Sequence, residues 1–162
     1  MSVDFGRTSD DYATYRAGFP KEFFDCLEDL GVLRPGGRLV IAHFDWIAEP
    51  GSVVEMTEKL IEKHNPEWRW GGRDGRYPKW LDVMQAAGFE TEENFEFDQD
   101  VAYSHAAWRG RVRASAGVGA SLPPVQIEAF DHEHRLALEI EFASEPLKAP
   151  HRVWALIAKF AG

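Results

Sequence analysis

The sequence predicts an α/β fold with three strands, near 38–45, 91–100 and 150–160, separated by amphipathic helices. Leu39-Val40-Ile41-Ala42 is an unbroken apolar run, which suits a strand covered on both faces. Phe95 and Phe97 alternate with acidic residues, the pattern of a half-buried strand. The stretch from Pro150 to Ala161, P-H-R-V-W-A-L-I-A-K-F-A, has high β-propensity and reads as the central strand.

Taken in order, residues 1–19 are polar and aromatic, and Pro20 stands well as the first residue of a helix. Phe23, Phe24, Leu27 and Leu30 then form one apolar stripe, and Gly31 is a stop. Arg34-Pro35-Gly36-Gly37 is a tight turn feeding the first strand, which ends in His43, Asp45 and Trp46. Ser52 is a natural N-cap for a helix through Val53, Val54, Met56, Leu60 and Ile61, broken at Asn65-Pro66. The aromatic, glycine-rich segment from Glu67 to Arg76 is a loop, either a flap over a pocket or a surface loop pinned by Trp68 and Trp70. Tyr77-Pro78 opens a helix that Gly88 closes, and Ser104 caps another that Gly117 to Ser121 ends. Gly117-Val118-Gly119 is no phosphate loop, because it follows a helix rather than a strand. Pro124 to Ile140 is the last helix, with Ile127, Phe130, His134, Leu136 and Leu138 placed near its inner side.

At 162 residues, with no linker, repeat or low-complexity tract, the chain reads as a single domain, 1–162. A net charge of −9 speaks against nucleic-acid or anionic-membrane binding. The single cysteine, Cys26, excludes an internal disulfide and a cysteine-based zinc set, and no histidine cluster offers a metal site. No apolar stretch approaches the roughly 20 residues that span a bilayer, so a cytoplasmic protein is expected.

Several stretches carry a family resemblance. Arg34-Pro35-Gly36-Gly37-Arg38-Leu39-Val40-Ile41 resembles the turn and fifth strand of class I S-adenosylmethionine (SAM)-dependent methyltransferases of the small-molecule type. The likeness continues through Asn65-Pro66-Glu67-Trp68, Ala87-Gly88-Phe89, Trp108 to Ser115 and Pro150-His151-Arg152-Val153, and the opening Tyr12 to Pro20 is similar to that family's N-terminal segment. The resemblance implies a truncated Rossmann-like fold. An N-terminal helical segment, 1–32, precedes the C-terminal half of the fold, 33–162, with a three-stranded mixed sheet in the family's 5-7-6 order. It also implies that the central segment is missing, and with it the glycine-rich loop and the acidic residue that hold SAM. The implied cofactor is thus SAM, but this chain lacks the means to hold it. The expected activity is that of a methyltransferase-family protein acting on or binding a small molecule, anionic ones included. The alternative is a non-catalytic binding or regulatory module, or a dimerisation partner of an intact methyltransferase.

Two sets of residues offer chemistry. In open α/β sheets ligands sit at the carboxyl ends of strands, where His43 and Asp45 are candidates either for acid–base work or for structural hydrogen bonding, and Trp46 for an aromatic contact. His105, Arg109, Arg113, His151 and Arg152 form a cationic set suited to a substrate carboxylate or phosphate. The same cations could instead neutralise the acidic body at Glu92, Glu93, Glu96 and Asp98. By the resemblance, Tyr12, Tyr15 and Arg16 would cover a ligand; the alternative is that they only pack on the remaining body. Loss of the neighbouring fourth strand leaves the 38–45 edge bare, and a homodimer joined along it is expected.

Overall fold

The computed structural model describes residues 14–15, 20, 22–23, 38–86 and 88–160. Its elements run β1 (Arg38–Trp46), α1 (Val53–His64), α2 (Lys79–Ala86), β2 (Phe89–Tyr103), α3 (His105–Arg113), α4 (Pro124–Glu141) and β3 (Leu147–Phe160). The turn at 34–37, most of the helix expected over 20–30, and Cys26 lie outside the described residues. The sheet order is β1-β3-β2, the expected order. The expected mixed sheet is corrected: neighbouring strands are antiparallel, because β3 runs against both strands that flank it.

The local signals explain the elements. Ser52 accepts the Glu55 backbone N–H at 3.2 Å, and Glu55 accepts that of Gly51 at 2.8 Å, so α1 starts on a reciprocal cap. Ser104 caps α3 by accepting the Ala107 backbone N–H, without a return bond. Gly88 takes φ 81°, a left-handed value open to glycine, just beyond the end of α2.

The chain divides into two compact units. The first includes Ile47–Arg73 and Asp100–Pro150, and therefore α1, α3 and α4. Its core gathers Val53, Val54 and Ile61 of α1, Trp108 and Val112 of α3, and Phe130 and Leu138 of α4. At its centre Thr57 donates to the Val53 carbonyl at 2.7 Å and accepts the Trp108 indole N–H at 2.9 Å. Its remaining lone pair faces His134 Nε2 at 3.0 Å, which assigns the proton to Nε2. Nδ1 of His134 is buried with no hydrogen-bond partner. Leu136, placed on the inner side from the sequence, is instead 39% exposed, because the inner stripe of α4 steps through Phe130, His134 and Leu138.

The second unit includes β1, Asp74–Gln99 and β3 from His151 onward. Residues Val153 to Ala158 of β3 are all buried, so both faces of this central strand are covered. Trp154, Leu156 and Ala158 form one face, packed against Met84 of α2 with Tyr77, Trp80, Leu81 and Ile41 around them. The strand covered on both faces is thus β3 and not β1, which is half-buried, with Leu39 43% exposed.

Candidate functional site

In the second unit a set of interacting polar and aromatic side chains surrounds the end of β1. His43 and Asp45 are two apart on one strand and so point to the same face. Antiparallel register sets His43 opposite Trp154 and Asp45 opposite Arg152 on β3. Tyr77, in the turn before α2, lays its ring on the His43 imidazole with centroids 3.6 Å apart and planes 15° from parallel. The Tyr77 hydroxyl donates to Asp45 Oδ2 at 2.5 Å. Asp45 Oδ2 is also 3.9 Å from His43 Nδ1, close enough for charge interaction but too long for a hydrogen bond. Trp154 completes the aromatic wall, 6.2 Å from His43 and 5.9 Å from Tyr77 between centroids.

Burial lowers the His43 pKa below its usual value, and Lys79 lowers it further, while Asp45 opposes both. His43 is therefore neutral at pH 7, and among the described residues it makes no hydrogen bond. A neutral, half-exposed imidazole beside a carboxylate can accept a proton or bind a donor.

Beside this cluster the arginines are already engaged. Arg152 holds Asp98 through two bonds of 2.6 Å and gives a third, of 2.9 Å, to the Asp74 carbonyl. Arg76 grips Glu96 through Nε at 2.8 and 3.0 Å and Nη2 at 2.5 Å, which anchors the residue next to Tyr77. Hydrogen bonds from these arginines lower the pKa values of Asp98 and Glu96.

The remaining expected site residues fall elsewhere. In the first unit, Arg109 and Arg113 both bind Asp131 of α4: Arg109 Nε and Arg113 Nη1 each lie 3.0 Å from Oδ1, and Arg109 Nη2 reaches Oδ2. Burial tends to raise the Asp131 pKa, but hydrogen bonds from the two arginines outweigh it and hold the group below its usual value. The sharing of one carboxylate by Arg109 and Arg113 follows their helical spacing of four. His105 donates its Nε2–H to the Phe142 carbonyl at 2.8 Å, and its backbone N–H donates to Glu145 at 2.5 Å. His151 is buried, its ring 5.0 Å from that of Phe44, and Trp46, its register partner, is half-buried. Tyr15 is half-buried with its ring packed against Gly110, where a Cβ would collide with it. Tyr12 and Arg16 lie outside the described residues.

Tyr77 is the residue that sequence reasoning missed. Its signal was its place immediately before Pro78, at the mouth of a helix whose apolar face must meet the sheet. Among the described residues no group of three His, Cys, Asp or Glu side chains could hold a metal ion. No described helix is long and apolar enough to cross a membrane. The sequence matches no protein-family model, and comparison with curated proteins yields no match.

Proposed function

We propose that this protein binds a small polar molecule at the His43–Asp45–Tyr77 cluster, as a relative of class I SAM-dependent methyltransferases that does not transfer methyl groups by itself. The observation that carries the binding site is the neutral imidazole of His43, stacked on Tyr77, beside a carboxylate, with no hydrogen bond of its own. The ligand donates a hydrogen bond to His43 and packs against the Tyr77–Trp154 wall. The kinship rests on the sequence stretches quoted above.

The described residues do not fit SAM. The strand–loop–helix unit formed by β1, residues 47–52 and α1 holds one glycine, Gly51. Its helix start is closed by Ser52 and carries the carboxylate of Glu55. A SAM cradle needs backbone approach through a glycine-rich turn and an acidic partner for the ribose. Titration calorimetry with SAM and its demethylated product tests this. Heats too small to fit at a protein concentration of about 100 μM are expected, and micromolar binding to a single chain would refute it.

A second reading, a binding or regulatory module that joins another chain, is favoured by the engaged arginines. Arg109 and Arg113 serve Asp131, and Arg152 serves Asp98. A substrate anion would have to displace these carboxylates. The partner in that case is a second copy, joined antiparallel along Leu39, Val40 and Ile41 of the edge strand β1.

A further inference from the structure

In the first unit, the loop after α1 forms a hollow of about 220 Å³ whose walls include Trp68 and Trp70. Its floor is chemically closed. Asn65 Nδ2 donates to Gly117 O at 2.9 Å and to Ser121 Oγ at 3.0 Å, and Ser121 donates to Ala116 O at 2.7 Å. Its walls and rim are open. Glu67 has no ion-pair partner among the described residues, and the indole N–H groups of Trp68 and Trp70 find no acceptor there. Arg38, Arg76, Arg109, Arg113, Arg135 and Arg152 each reach a carboxylate. Arg69, by contrast, gives one bond of 2.7 Å to the Pro66 carbonyl and pairs with no acid.

The Trp68 indole packs closely against two glycines. A methyl group built on Gly71 would lie 2.8 Å from Trp68 Cζ3, and one built on Gly117 would lie 3.1 Å from Trp68 Cε2. Both glycines therefore leave room for this ring, Gly117 for Ile61 as well. Trp70 is 43% exposed, a large apolar surface left to solvent at the same hollow.

From this combination we infer a second binding site, for a small zwitterion that carries a methylated ammonium head and a carboxylate. Indole faces attract a quaternary ammonium through the ring quadrupole, and the free Glu67 carboxylate adds to that attraction. Arg69 supplies a planar fork for the carboxylate, and an indole N–H can complete the set. The two charges have opposite signs and both line the hollow. This site belongs to the first unit and does not depend on the His43 cluster.

The test uses glycine betaine as the probe, with choline and 3,3-dimethylbutanoate as analogues that each lack one charge. Two-dimensional NMR of the whole chain resolves its six tryptophan indole N–H signals. Betaine is expected to move two of them saturably, those assigned to Trp68 and Trp70 by single Trp→Phe variants. Arg69→Gln should weaken betaine about tenfold and leave choline unchanged, while Glu67→Gln should weaken choline and leave 3,3-dimethylbutanoate unchanged. Glu67, Arg69 and Trp70 are exposed, so these variants keep the fold, and an unchanged pattern of the other signals verifies it. No saturable shift with betaine overturns the proposal. So does binding that survives Trp70→Ala, or an equal response to the butanoate, which has the shape without the cation.

Discussion

Acid should unfold the first unit through His134, and the size of the effect follows from its surroundings. The side chain is fully buried, its Nε2–H is spent on Thr57, and Nδ1 has no partner to receive a new donor. Burial lowers its pKa from 6.5 to about 4; Arg109, Arg113 and His105 on α3 act in the same direction, and Asp131 on α4 opposes them. Well above pH 6.5 the imidazole is neutral in the folded and the unfolded chain and contributes no pH dependence. Between pH 6.5 and pH 4 the unfolded chain takes up the proton and the folded chain does not, so stability falls as the pH falls. At about 1.4 kcal/mol per pH unit the loss approaches roughly 3 kcal/mol, and about 2 kcal/mol of it is complete by about pH 5. Urea unfolding of the native chain and of His134→Phe across this range isolates the effect, because every other titrating group is common to both. Thr57 keeps its bonds to Val53 and Trp108 in the variant. The stability difference between the two proteins should shift by about 2 kcal/mol toward the variant from about pH 7 to about pH 5. Parallel curves for the two proteins, and for the alternative variant His134→Gln, would refute the assignment of a buried neutral histidine.

Three other outcomes follow from particular contacts. Asp131→Asn removes the shared acceptor of two half-buried guanidinium groups and should cost about 2 kcal/mol in urea unfolding, whereas Glu139→Gln, facing Arg135 on the surface, should cost under about 0.5 kcal/mol; equal losses would contradict this. In imidazole NMR titrations Asp45→Asn should lower the His43 pKa and Lys79→Met should raise it, since their charges act on it in opposite directions; shifts of one sign would contradict the geometry. Light scattering at micromolar concentration should give a dimer mass that Val40→Lys reduces to that of a monomer, because a charge in mid-strand blocks edge pairing; a monomeric native chain ends the dimer proposal.

The sequence by itself determined the elements, because their signals are local. Ser52 and Ser104 mark helix starts through their own backbone neighbours, and Gly88 ends α2 through its own φ. The alternation of Phe95 and Phe97 with acids marks β2, and the β-propensity of 150–161 marks β3 as the central strand, whereas the covering of both faces, expected for β1, belongs to β3. His43 and Asp45 were legible as a pair because a spacing of two on a strand fixes a common side. Tertiary structure alone decided what each polar group meets. Arg109 and Arg113 meet Asp131, 22 and 18 residues away, and Arg152 meets Asp98, 54 residues away. Tyr77 reaches Asp45 across 32 residues. No local periodicity encodes such pairings, since they depend on the register of one element against another. Leu136 shows the same limit within one helix: its apolar character could not say which stripe of α4 turns inward, and the packing of Phe130, His134 and Leu138 against the core left it outside.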